Sequence, residues 1–446
     1  MDIHSEREKG ASYEPQAEAV SPKTGEAFYG WYILGGLFVI YFTTFGFTMY
    51  AAAVSLPTMI EQMGWSRAAS SAGIAILFIM TGLGGLPAVY LLRRFGAKPT
   101  MLFGAGLIMA GAVCVYTTTT LWQYYVGLGL LIGLGKAHLA IVPAQQIIAN
   151  WFLRRRALAL GILLTSSGLA TFIVAPVGAA MIESSGDWRQ VWLLAMFGSV
   201  VCAFIVVFIM REKPDSIQTA YEKIKVDADG KDKTQRLGRI YHSSIDWPVK
   251  DALKSFAYWK LNISAAVVLI GVTIVNSQSI LHLQDIGLNA ILAASVLGVT
   301  GLTGIFGRLA AGGLGDRIDP KLLLLAGISL EAASFLVLMF STTPMLMYLF
   351  AALFGTGLGI AVVSLAALMA NYFGKNSYGS LVAAQMLTVT LIAGMGPIVA
   401  GRIQDMTGSY NTVFMGYIVL ALFMAGVIAT LKPPHLKNMP ESPTSI

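Results

Sequence analysis

Apolar runs, each long enough to cross the hydrocarbon of a bilayer, follow one another almost without interruption along this chain. A helix needs about 20 mainly apolar residues to span that layer. Such runs fall near 31–57, 69–92, 100–119, 121–149, 157–182 and 189–210, and again near 257–283, 289–314, 321–341, 344–371, 379–403 and 411–431. A polar stretch rich in Lys, Asp and Ser separates the two sets. The pattern predicts an all-α membrane protein of twelve transmembrane helices. Its parts are a tail at 1–27, a six-helix bundle at 28–211, a linker at 212–255, a second six-helix bundle at 256–432 and a tail at 433–446.

The two sets repeat. Asn150-Trp151-Phe152 returns as Asn371-Tyr372-Phe373, Arg94 as Arg317, Pro176 as Pro397 and Gly186 as Gly408, with offsets of 221, 223, 221 and 222. A nearly constant shift across six spans predicts two halves of the same orientation, a parallel repeat.

Composition and charge narrow the picture. Of 446 residues 56% are hydrophobic and 12% charged, and the mean hydropathy is +0.69; a soluble domain carries roughly a quarter charged residues. The formal charge of +7 is no sign of nucleic-acid binding, because the basic residues sit in short loops rather than on a soluble face with aromatic platforms. Of the 30 Lys and Arg, 24 fall in the tails, the linker and the loops on the same side as these. The alternate loops hold Arg67, Arg189 and Arg402, so the positive-inside rule places both termini and the linker in the cytoplasm. Residues 1–27 have no apolar core or small-residue cleavage site and read as a solvated tail, not a signal peptide. Cys114 and Cys202 lie inside apolar runs, so neither a disulfide framework nor a metal site is expected, and no cofactor motif is present.

Certain motifs resemble a known family. Gly312-Gly313-Leu314-Gly315-Asp316-Arg317 followed by Lys321 resembles the signature loop of the major facilitator superfamily, which implies a gating role for Asp316 and Arg317. The first copy, Arg93-Arg94-Phe95-Gly96-Ala97-Lys98, has arginine where the family usually places the acid. Within that superfamily, Gly30-Trp31, Gly64-Trp65-Ser66-Arg67, Asn150-Trp151-Phe152 with Arg156-Ala157-Leu158-Ala159-Leu160-Gly161, and Thr407-Gly408-Ser409-Tyr410 are together similar to bacterial monocarboxylate and oxalate/formate transporters. The resemblance covers nearly all of residues 28–432 and implies a substrate site between the halves, near mid-membrane.

Ionisable groups within a span are expensive unless a cavity or partner receives them. Arg308 lies about 12 Å inside its helix end, and the resemblance implies that it holds a substrate carboxylate, a task suited to a bidentate guanidinium. Snorkelling to the cytoplasm or bracing of loops is its structural alternative. Lys136 and His138 lie about 22 Å deep on the fourth span; two residues apart, at most one faces the cavity squarely. Tyr50, Asn276, Gln278 and Gln385 are candidate cavity walls, against simple interhelical hydrogen bonding. His138 and Glu331, about 15 Å into the ninth span, are the proton-coupling candidates. His282 and Asp285 read as a solvated helix end. Gly127, Gly129, Gly133 and Gly135 sit in an apolar span and read as close helix packing, not a phosphate loop. Pro57, Pro87, Pro143, Pro176 and Pro397 are expected to kink or hinge their helices.

No nucleophile, base and orienter set and no Walker motif is found, which excludes an enzyme or an ATP-driven pump. The expected function is proton-coupled secondary transport of a small organic monocarboxylate by a monomer in an inner membrane. Exchange of small dicarboxylates, or a transport-like sensor, is the alternative. Oxalate-type relatives carry a lysine nine residues beyond the serine of Tyr-Gly-Ser, and here, after Tyr378-Gly379-Ser380, that place is Val389. The orientation has a direct test. In a background without Cys114 and Cys202, a cysteine at Lys231 should resist a membrane-impermeant maleimide in intact cells, and one at Thr119 should react with it.

Overall fold

A computed structural model describes residues 28–152, 156–212, 241, 243, 247–315 and 318–434; Asp316, Arg317, both tails as far as 1–27 and 435–446, and most of the linker lie outside these. Among the described residues every regular element is helical. The spans of the first half are α1 Gly30–Met63, α2 Arg67–Leu83 with Gly85–Phe95, α3 Ala97–Tyr116, α4 Leu121–Ile148, α5 Arg156–Ser185 and α6 Trp188–Phe208. The second half follows with α7 Phe256–Asp285, α8 Ala290–Leu314, α9 Pro320–Met339, α10 Pro344–Phe373, α11 Lys375–Thr407 and α12 Asn411–Ala429. Eleven are long and apolar enough to cross a membrane, and the bent α2 makes the twelfth.

Expected as a single run, α2 instead turns by 41° at Gly84. Pro87 has no amide to return to the preceding turn, and such a loss is a recognised cause of helix bends. The helix ends repeat as the sequence landmarks do. Gly64 and Gly287 follow the first helix of each half and Gly186 and Gly408 the fifth, all with positive φ, a conformation that glycine adopts without strain. Ser66 caps α2 by accepting from the Ala69 amide, and Asn289 caps α8 by accepting from Leu292. The Lys98 ammonium donates to the Val207 carbonyl at 3.0 Å, and the Lys321 ammonium to the Leu431 carbonyl at 2.8 Å.

Within the first bundle the glycines of α4 serve two neighbours. A Cβ on Gly127 would lie 3.0 Å from the Gly111 carbonyl and one on Gly135 2.9 Å from that of Gly104, both on α3. One on Gly133 would lie 2.9 Å from the Leu77 carbonyl of α2. The expectation of close packing is met, with backbones brought together as membrane helices require.

The halves meet along α5 with α8, α2 with α11 and α1 with α7. Twelve spans put the start of α1 and the end of α12 on one face, called here the terminal face. Contact is tight at the opposite face. There Arg67 holds Asp285 through two hydrogen bonds of 2.7 Å and donates to the Tyr410 hydroxyl at 3.0 Å. The Asp405 carboxylate accepts from the Arg67 and Ala68 amides at the start of α2. Tyr410 in turn donates to Gln278 Oε1 at 2.8 Å, and Gln278 Nε2 donates to Ser71 Oγ at 2.9 Å. Asp285 is thus an ion-pair partner and not the free solvated end expected of it, and His282 is buried against Tyr410 and Phe414.

Deeper along the seam, Gly82 of α2 abuts Thr390 of α11. Leu86 and Tyr90 continue the Gly82 face by one and two turns and are 63% and 56% exposed, and Met386, one turn from Thr390, is 47% exposed. The seam is therefore closed at the opposite face and parted toward the terminal face.

Arg67 and Asp285 are 24% and 37% exposed, so solvent screening limits their pair to about 1 kcal/mol. Arg67→Ala should accordingly raise the population parted at the opposite face about fivefold. Spin labels at positions 61 and 407 would report this as growth of a longer distance component; an unchanged distribution would mean that the network does not latch the seam.

Candidate functional site

One stretch of α1 and two of α4 are wound more loosely than an α-helix. Phe45–Tyr50 in α1 and Tyr125–Ile132 and Ala137–Ile141 in α4 are π-helical. Such turns occur frequently at functional sites, because the extra residue re-aims the side chains around it. Here they bracket Phe45, Tyr50 and Lys136. The Lys136 ammonium stands 4.5 Å from the centre of the Phe45 ring, a cation–π contact. Lys136 is buried, and among the described residues no carboxylate pairs with it.

Across the seam, Arg308 of α8 points at the first half. Its Nη1 donates to the Leu164 carbonyl of α5 at 3.0 Å, and its Nε is buried without a partner. The Tyr50 hydroxyl lies near the Thr171 side chain of α5 and within electrostatic reach of Arg308. The crossing that permits this is narrow: a Cβ on Gly168 of α5 would stand 2.6 Å from the Gly301 carbonyl of α8. Behind Arg308, α8 lies against α10, where a Cβ on Gly304 would meet the Gly355 carbonyl at 3.3 Å. A side chain at Gly304 would require α8 or α10 to yield by a few tenths of an ångström.

Of the predicted residues, Arg308 and Tyr50 are thus brought toward each other at the α5–α8 seam, and Lys136 stands beside Phe45 of α1 within its own half. The remaining ones are held as follows. The His138 Nδ1 is 2.8 Å from the Leu134 carbonyl, and its ring stands edge-on to the half-exposed Phe103 of α3. Asn276 donates to Val272 of its own helix at 2.8 Å, with Oδ1 unpartnered. Gln278 belongs to the network at the opposite face described above. Gln385 is buried on α11 with Nε2 unpartnered. Glu331 lies in the core of the second half, fully buried, where Tyr417 donates to its Oε2 at 2.5 Å and Oε1 has no partner. Sequence reasoning missed Phe45, Thr171 and Arg67. Phe45 and Thr171 carry no charge to mark them inside an apolar run, and Arg67 looked like an ordinary basic helix end.

Comparison with known proteins agrees with this architecture. Residues 36–397 match the profile described as Major Facilitator Superfamily. The chain is 26% identical over 432 residues to monocarboxylate transporter 12 of Homo sapiens, covering 92% of this chain and 81% of that protein. It is 26% identical over 400 residues to monocarboxylate transporter 4 of Gallus gallus, covering 88% and 80% respectively. Among solved structures it resembles a D-xylose-proton symporter, with a TM-score of 0.68 at 14% identity over 91% of this chain and 98% of that one. A POT family transporter in complex with 5-aminolevulinic acid gives a TM-score of 0.68 at 14% identity, covering 90% and 96%. At such identities the solved structures bear on the fold alone. The chain is a multi-pass membrane transporter, not an enzyme, and it belongs to the major facilitator superfamily.

Proposed function

We propose that the chain carries a small organic monocarboxylate across the membrane by alternating access, with Arg308 holding the carboxylate. The observation that carries this reading is the state of Arg308. Its guanidinium sits at the seam with one neutral acceptor from the opposite half, an unpartnered Nε, and no carboxylate pairing with it among the described residues. A guanidinium so placed is suited to a planar, singly charged anion bound through two parallel hydrogen bonds. The Tyr50 hydroxyl supplies a further polar contact from the facing half. The relatives named above are monocarboxylate transporters, which supports the substrate class.

Lys136 keeps a second reading alive. Its ammonium has an aromatic ring, not an anion, for company, so a small dicarboxylate could bridge the halves between Lys136 and Arg308. Reconstituted protein tested with a panel of mono- and dicarboxylates decides between them. Arg308→Ala should weaken monocarboxylate affinity by about 10- to 100-fold, the worth of charge-assisted hydrogen bonds. Lys136→Ala should leave monocarboxylates within about twofold, well inside 1 kcal/mol. Selective loss of dicarboxylate transport in Lys136→Ala would favour the dicarboxylate reading, and wild-type transport by Arg308→Ala would remove both.

Coupling to protons completes the proposal, with His138 and Glu331 as the candidate carriers. Neither reaches the seam in this conformation: His138 is held against α3, and Glu331 is bound by Tyr417. A carrier of this kind exchanges its proton in another conformation of its bundle. Acidifying the outside should raise initial uptake and a protonophore should abolish accumulation; uptake that ignores both and responds only to preloaded counter-substrate would identify an exchanger. The orientation proposed with this function puts the terminal face in the cytoplasm and the chain in an inner membrane.

A further inference from the structure

Away from the seam, the terminal face of the second half holds a cavity of about 260 Å³. It lies between the start of α9, the end of α10 and the end of α12, and is lined by Asp319, Lys321, Asn371, Tyr372, Lys432 and, from the linker, Tyr241. Tyr241 stands edge-on to Tyr372 at 5.7 Å, and the neighbouring Ser243 amide donates to the Asn371 carbonyl at 2.7 Å, so the linker forms one wall. Two lysines face one aspartate here. Asp319 already accepts from the Lys321 amide at 2.9 Å, and the Lys432 ammonium has no partner among the described residues.

The first half shows what such a place holds. Between the start of α3, the end of α4 and the segment after α6, the Glu212 carboxylate accepts from the Ala97 amide at 3.1 Å. It sits where a Cβ on Gly96 would be 2.8 Å from its Oε2. Asn150 Nδ2 donates to the Glu212 carbonyl at 3.1 Å, and Trp151 Nε1 to the Arg211 carbonyl at 2.9 Å. Asn371 is the repeat of Asn150, Lys321 of Lys98, and the two lysines make matching bonds to the ends of α6 and α12. Glu212 thus places a carboxylate of the chain itself in the first half, where the second half has the cavity with its lysines. Pro320 stands where Ala97 stands and has no amide with which to hold a carboxylate the same way.

We propose that this cavity binds the phosphate of an anionic ligand, with Lys321 and Lys432 supplying the charge and the two tyrosines closing over it. Three features favour phosphate. The lining is rich in donors and carries excess positive charge. The volume lies below the 300–1,000 Å³ usual for drug-sized ligands. The cavity opens at the level where helices leave the membrane, and basic pockets there take anionic lipid headgroups. A phospholipid headgroup and free phosphate present the same chemistry.

The test uses the full-length protein in nanodiscs, read as the shift in thermal unfolding midpoint on adding the ligand. Three arms are compared: phosphatidylcholine alone, phosphatidylcholine with inorganic phosphate, and phosphatidylcholine with increasing phosphatidylglycerol. One phosphate source should raise the midpoint saturably, and which one identifies the headgroup or the free ion. The apparent affinity should fall about fivefold in Lys432→Gln and in Lys321→Gln, the worth of one lysine at a membrane surface. It should be unchanged in Lys254→Gln, an exposed charge on the same face, and in Arg308→Ala, which separates this cavity from the seam. Lys321→Gln also removes the bond to Leu431, so the ligand-dependent increment is the readout, and Lys432→Gln serves as the variant without that complication. No shift from either source, or equal shifts in wild type and both lysine variants, would overturn the proposal. So would tighter phosphate binding after deletion of residues 435–446, which would make the chain's own tail the occupant.

Discussion

Helices in lipid gain little from leaving lipid, because their neighbours are as apolar as the acyl chains they displace. What holds the two halves together is therefore close contact of backbones and a few polar bonds. At the α5–α8 crossing this depends on Gly168 and Gly301, where a single added carbon would collide with the facing carbonyl. At the α2–α11 crossing Gly82, Gly394 and Gly401 have the same role, against Thr390, Ile79 and Ala68. Arg308 reaches the Leu164 carbonyl because these crossings bring α8 within one side-chain length of α5. Apart from the Arg308 bond, the polar bridges between the halves described above gather at the end where α2 meets α7, α11 and α12, away from the bent second limb of α2.

The same economy explains how charge is distributed. Several basic residues at helix ends are bonded to a carbonyl or a carboxylate: Arg67 to Asp285, Lys98 to Val207, Lys321 to Leu431. Inside the spans the ionisable groups are few and differ in their company. Glu331 has one oxygen bound to Tyr417 and one with no partner, and Lys136 has a ring. Arg308 alone of these bonds across the seam, which separates a side chain poised for a ligand from those that serve their own bundle.

Most of the architecture was legible because apolar length and repeat spacing are properties of the chain itself. The twelve runs and the offset of about 222 residues needed no tertiary information, and Arg308 stood out as a charge in an apolar run. The latch at the opposite face was illegible for the converse reason. Arg67, Asp285 and Asp405 are unremarkable at helix ends, and only folding brings residues hundreds of positions apart together. Gln278 looked like a cavity wall because polarity inside a span has two uses, and sequence cannot separate binding a solute from bonding Ser71 and Tyr410. The π-helical stretches were hidden too, since a span that is apolar all round carries no periodicity from which a change of winding could be read.

Those stretches give the first half a property that the second half lacks among the described residues. In an α-helix each residue advances the chain by about 1.5 Å and turns it by about 100°. If one π-helical turn of α4 tightened by a single residue, the helix beyond it would rotate by that angle and slide by that rise without any hinge in a loop. For Ala137–Ile141, immediately after Lys136, such a step would turn Lys136 and His138 relative to each other about the axis of α4. The first half thus carries, inside two of its helices, places where a change of winding alone would re-aim side chains.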